Sequence, residues 1–137
     1  MKIAICVENS GGLLFNGRRL SQDKAIPIKL SDLAGNGKIY LNKYSSDIFE
    51  KKDNLCVFDD FTSRASKNDI CFIENTSLPD MKDVSTVYLF KWNRNYPADK
   101  YFSYDLLSGD FKKVKTKHFV GNSHKKVTLE IYERRYV

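Results

Sequence analysis

The chain has 137 residues, 42% hydrophobic and 29% charged, with a net charge of +6. That balance argues against disorder, no apolar run approaches the roughly 20 residues of a membrane-spanning helix, and the length predicts one globular domain, 1–137, with a core that needs no disulfide staples. Three cysteines without CxxC spacing, each inside an apolar run (Cys6, Cys56, Cys71), predict core thiols in a reducing cytoplasm.

Residues 2–8 open with an apolar run that predicts a central strand, and five apolar residues before Glu8 are too few for a secretion signal. Asn9-Ser10-Gly11-Gly12 marks a turn, Leu13-Leu14-Phe15 is placed to pair back, and Asn16-Gly17 is a hairpin-turn signal. Ser21 is predicted as a helix N-cap, with Asp23 in the first turn, where negative charge suits the dipole. The helix runs to about Leu33, with Gly35 past its end, and Pro27 predicts a kink or a delayed start. Strands follow over 38–41, 55–58, 70–74 and 86–92. A short helix is predicted over 44–51 and a helical turn over 61–67. The last run, 86–92, is apolar nearly throughout, which suits burial on both faces. Residues 100–107 read as extended and aromatic-rich. Residues 111–120 alternate lysine with other residues, as in an exposed strand near an edge. At 127–131 the apolar residues alternate, which favours a strand and leaves a helix open. The pattern predicts an α/β (or α+β) domain, a central mixed sheet with a few short helices packed on it.

Candidate chemistry is sparse. His118 and His124 with Lys117 have the types of an RNase-like acid, base and phosphate-binding cation; as surface residues of a basic segment they need no such role. Asp59-Asp60, Asp69 and Glu74 flank strands, but neighbouring Asp59 and Asp60 point to opposite faces of a strand, and a metal site needs a further converging ligand. GxSxG and GxGxxG are absent. No catalytic residue, cofactor or metal is therefore assigned. Trp92, Arg94, Tyr96, Tyr101, Phe102 and Tyr104 form an aromatic-basic cluster of the kind found at interface hot spots or under stacked bases, with Trp92, Arg94 and Tyr96 expected exposed. From Asp110 to Val137, eight Lys or Arg face three acids.

The opening Ile3-Ala4-Ile5-Cys6-Val7-Glu8, with Gly11-Gly12-Leu13-Leu14-Phe15-Asn16-Gly17-Arg18-Arg19 and Ser21-Gln22-Asp23, resembles a family of short bacterial proteins. So do Val87 to Asp99 and Gly121-Asn122-Ser123-His124-Lys125-Lys126. Members are often labelled ribonuclease Z, yet this chain has no HxHxDH motif. Such proteins resemble immunity partners of polymorphic toxins, and the chain is similar to immunity proteins of contact-dependent growth inhibition. The resemblance implies a non-enzymatic cytoplasmic protein. It would bind a cognate toxin domain, a nuclease, as a 1:1 heterodimer and cover its active or docking surface through Arg18, Arg19, Asp59, Asp60, Trp92, Arg94 and Tyr96. A nuclease presents a basic groove, whereas this chain is basic. Either the toxin has an acidic docking face or the Asp59-Asp60 patch makes the contact. The alternative is an RNA-binding protein or nuclease using the Lys-rich 112–126 segment. The opening and Glu130-Ile131-Tyr132-Glu133-Arg134-Arg135 also resemble dihydrofolate reductase, at the level of fold. The long nucleotide-binding middle of that family is missing, as is a recognisable helix carrying its acidic substrate residue.

Overall fold

Strand β1 (Lys2–Val7) buries both of its faces, and that sets its place. Ile3, Ile5 and Val7 point to one side of a seven-stranded sheet; Ala4 points to the other, and Cys6 packs against that second core. The computed structural model describes residues 1–50 and 53–136. Beside β1 lie β6 (Ile70–Phe72) and β7 (Thr86–Lys91), both parallel to it. Beyond β6 run β4 (Ile39–Leu41) and β5 (Leu55–Val57), also parallel. On the other side β10 (Val127–Arg134) pairs antiparallel with β7, and β9 (Phe111–Phe119) pairs antiparallel with β10 at the edge. The order is β5-β4-β6-β1-β7-β10-β9. The α/β class with a central mixed sheet is as the sequence predicts.

Each face of the sheet has its own cover. Helix α1 (Ala25–Ala34) lays Ile26, Leu30 and Ala34 on the face made by Ala4, Ile39, Leu41, Phe72, Phe90 and Leu129. The opposite face, with Ile3, Val87, Leu89 and Tyr132, is covered by Phe61 of α3 (Phe61–Arg64), Leu106 and Phe111. A second, three-stranded sheet is a hairpin of β2 (Gly12–Phe15) and β3 (Arg18–Arg19), with β8 (Lys100–Tyr101) added to β2. Asn16 and Gly17 both take positive φ, 51° and 73°, the combination that turns a two-residue hairpin.

Several expectations change in detail. Helix α1 starts at Ala25, so Pro27 falls in its first turn, where a missing N–H costs nothing. Ser21 is not its cap; the Asp23 carboxylate accepts the Ala25 N–H instead. The helix expected over 44–51 is the four-residue α2 (Lys43–Ser46), capped by the Asn42 side chain, and positions 51 and 52 lie outside the described residues. The 127–131 ambiguity resolves as strand. Of the three thiols only Cys71 is fully buried, and burial pushes it up to about 12. No helix among the described residues is long and apolar enough to cross a membrane.

Candidate functional site

Five parallel strands end at the same edge of the sheet, and the loops that leave them build one crevice. Glu8 follows β1, Asn42 follows β4, Ile73-Glu74 follows β6 and Trp92 follows β7. Because β9 and β10 run antiparallel, the loop between them, 120–126, returns to this edge as well. The start of α1 meets it there.

The meeting is made through Asp23. Its Oδ1 accepts the backbone N–H of Ala25 (2.9 Å) and Asn122 (2.8 Å); its Oδ2 accepts those of Ser123 (2.8 Å) and His124 (3.1 Å). The His124 ring adds Nδ1 at 2.9 Å. The side chain has no exposed surface. Burial alone would raise its pKa. The N–H groups of Ala25 and Asn122, the His124 ring and the Ser123 N–H outweigh that and hold it well below the usual carboxylate range. A Cβ on Gly121 would collide with this carboxylate and crowd the His124 carbonyl, so glycine is what lets the loop close on it. Asn93, at φ 59°, donates to Thr128 and to the Lys126 carbonyl and ties the 92–96 turn to the same loop.

His124 is 5% exposed and stacks on Trp92, with ring centroids 4.7 Å apart. Its Nε2 lies 2.9 Å from Ser21 Oγ and 3.4 Å from the Tyr96 hydroxyl. Next to it, the centre of the crevice is filled. Arg19 grips Glu74 with Nε and Nη2, both at 3.0 Å, donates to the Tyr44 carbonyl, and lies over the Tyr44 ring at 4.2 Å. Ser45 donates to the same Glu74 carboxylate at 2.8 Å. Between Ser21, Arg19, Glu74, Cys6 and Trp92 only a cavity of about 10 Å³ remains, the space of one water.

The open space lies in front of α1. Two adjoining hollows of about 410 Å³ and 420 Å³ share Lys24, Ile48, Phe49 and Glu50. The first is floored by Pro27 and Ile28, the latter 64% exposed; the second runs to Gln22, Asn122 and Ser123 in front of Asp23. Lys24 and Glu50 face each other across the groove at 3.7 Å.

No family model matches the chain, and no curated protein matches it. A solved structure does: dihydrofolate reductase from Enterococcus faecalis, complexed with NADP(H) and RAB-propyl, superposes with a TM-score of 0.67 over 99% of this chain and 97% of that one, at 13% sequence identity. The fold is that of dihydrofolate reductase. An enzyme's architecture across the whole length overturns the reading of the chain as an immunity protein that inhibits a toxin in contact-dependent growth inhibition. The 1:1 toxin heterodimer, the antitoxin role and the non-enzymatic assignment go with it, and so does the RNA-binding or nuclease alternative through 112–126. At this identity it is the fold that is shared with dihydrofolate reductase.

The sequence-derived site residues divide. Arg19 and Trp92 are in the crevice, and Trp92, expected exposed, is 4% exposed because it carries the His124 ring. Tyr96 is half-buried beside that ring. Arg18 and Arg94 are exposed, and so are Asp59 and Asp60 beyond β5, where Asp60 pairs with Arg64 at 2.6 Å. His118 sits on exposed β9 bonded to Thr128, so it and His124 do not form a pair. Asp69 spends its carboxylate on Ser66 and the Lys38 N–H. Among the described residues no three His, Cys, Asp or Glu converge as a metal set. An acid does stand at the head of α1: Asp23 lies before the helix and not inside its first turn, and its partner loop lies about 100 residues away.

Proposed function

We propose that this chain is a small-molecule enzyme of dihydrofolate reductase architecture that takes a dihydrofolate-like ligand: a flat, nitrogen-rich heterocycle with an aryl extension. The groove between α1 and residues 48–50 carries this reading. Its volume suits such a molecule. Ile28, Pro27 and Phe49 supply apolar walls for the aryl part. Gln22, Asn122 and Ser123 supply donors and acceptors for the heterocycle's edge, and Lys24 offers a cation for an acidic tail. The three free thiols fit a reducing, cytoplasmic location.

The NADP(H) of the Enterococcus faecalis enzyme does not fit the crevice of this chain. A pyrophosphate needs unpaired backbone N–H groups and a positive field at a helix start. Here β6 runs into Ile73-Glu74-Asn75-Thr76, which puts the Glu74 carboxylate, held by Arg19, at the strand ends. At the start of α2 the Ser45 N–H is already taken by Asn42. No hydride step follows for this chain.

Calorimetric titration with dihydrofolate tests the proposal. Saturable 1:1 binding is expected in the micromolar range, weakened at least tenfold in Ile28→Asp, which alters an exposed groove wall and leaves the core alone. NADPH is expected to give no heat. Absence of dihydrofolate binding, or wild-type affinity in Ile28→Asp, would overturn the assignment.

A further inference from the structure

From the geometry we infer that Ser21 is a nucleophile, activated by His124 and Asp23, and that the crevice catalyses acyl transfer to water from small esters. This rests on the crevice being an enzyme's site and not on the identity of the groove ligand. Three observations carry it. Ser21 Oγ is 2.9 Å from His124 Nε2, and His124 Nδ1 is 2.9 Å from Asp23 Oδ2, the connectivity of a serine–histidine–carboxylate relay. An ionised Asp23 can only accept, so Nδ1 carries a proton, and Nε2 is the ring nitrogen that faces the Ser21 hydroxyl. Second, the relay is rigid. Trp92 stacks on the imidazole, and three N–H groups from the 122–124 loop hold the carboxylate, so nothing must reorganise as charge develops. Third, Ser21 is only half-buried and borders the 10 Å³ cavity that Arg19 also lines. That space admits one oxygen atom, and Arg19 borders it with Nε and Nη2 already given to Glu74 and the Tyr44 carbonyl. Glu74 beside it is already satisfied by Arg19 and Ser45.

The step balances. The Ser21 proton passes to Nε2 as Oγ bonds the ester carbonyl carbon. The bond from that carbon to the alcohol oxygen breaks, and His124 gives the proton to the departing alcohol. Water, deprotonated by the same nitrogen, then adds to the acyl-serine, and its collapse releases the carboxylic acid and returns the proton to Ser21.

The test is covalent labelling of the full chain with a fluorophosphonate, read by intact mass and peptide mapping, beside hydrolysis of p-nitrophenyl acetate. One adduct on Ser21 is expected. It should be absent in Ser21→Ala and formed at least 100-fold more slowly in His124→Gln. The position of the adduct in the wild-type chain, and its absence in Ser21→Ala, are readouts that stand even if His124→Gln fails to fold. No adduct on Ser21, an adduct at another residue, or an undiminished rate in a folded His124→Gln would each overturn the proposal. The dihydrofolate titration reports separately: loss of that binding with Ser21 still labelled removes the groove ligand and keeps the nucleophile.

Discussion

Asp23 concentrates more hydrogen bonds than any other side chain of the crevice, and it has no exposed surface through which water could replace them. Its loss should therefore be expensive. Asp23→Asn turns one accepting oxygen into an NH₂ that faces other donors. It is expected to cost about 3 kcal/mol in urea unfolding, with the slope of the transition unchanged. The pH dependence follows from the sign of the shift. The folded-state pKa of Asp23 lies below its ordinary 3.8, so its stabilisation is complete above that value and is lost as pH falls through the folded value. Burial opposes the same direction at Asp69 and Glu130. The Lys38 N–H and Ser66 win at Asp69, and Lys113 and Tyr132 win at Glu130. Melting temperature should therefore drop steeply below about pH 4, and Asp23→Asn should drop less steeply than the parent. An acid profile unaffected by Asp23→Asn would show that the carboxylate is not held as described.

At the scale of elements, the β9–β10 loop is locked by chemistry at both ends. Gly121→Ala places a methyl against the Asp23 carboxylate and should cost about 1–3 kcal/mol, with faster amide exchange at Ser123 and His124. Protection equal to the parent would mean the loop is not anchored by that contact. Arg19 and Glu74 link the hairpin to the end of β6 through a bidentate pair that is 19% and 9% exposed. Arg19→Ala and Glu74→Ala should show a coupling of about 1–3 kcal/mol in a double-mutant cycle, because either alone strands a charge in a half-buried place.

Much of the element order was legible because its signals are local. Asn16-Gly17 turns a hairpin, β1 reads as a central strand and β7 as doubly buried, and the lysines of β9 mark an edge. The site was not legible, because its pairings are not local. Ser21 and Asp23 read as helix-start chemistry, and His124 reads as a basic surface turn. Only the antiparallel return of β10 brings His124 back over a separation of 101 residues. Trp92 and Arg19 carry the composition of an interface, yet one supports an imidazole and the other plugs a crevice. Composition cannot tell these apart, since both uses want an aromatic or guanidinium group with a satisfied polar tip.

Over the whole molecule, the sheet's two apolar faces hold the edge on which these residues sit. Phe90 is fully buried and meets Phe119 edge-on at 6.4 Å, so Phe90→Ala should cost about 3–5 kcal/mol and lower the melting temperature without changing which groove residues respond to ligand. A solvent-facing groove of several hundred Å³ beside the crevice is the feature on which the proposed ligand rests. The direct measurement is a two-dimensional amide NMR titration of the ¹⁵N-labelled chain with dihydrofolate. The account predicts saturable shifts centred on Ile28, Ser31, Phe49 and Asn122; shifts confined to β9, or none at millimolar ligand, would contradict it.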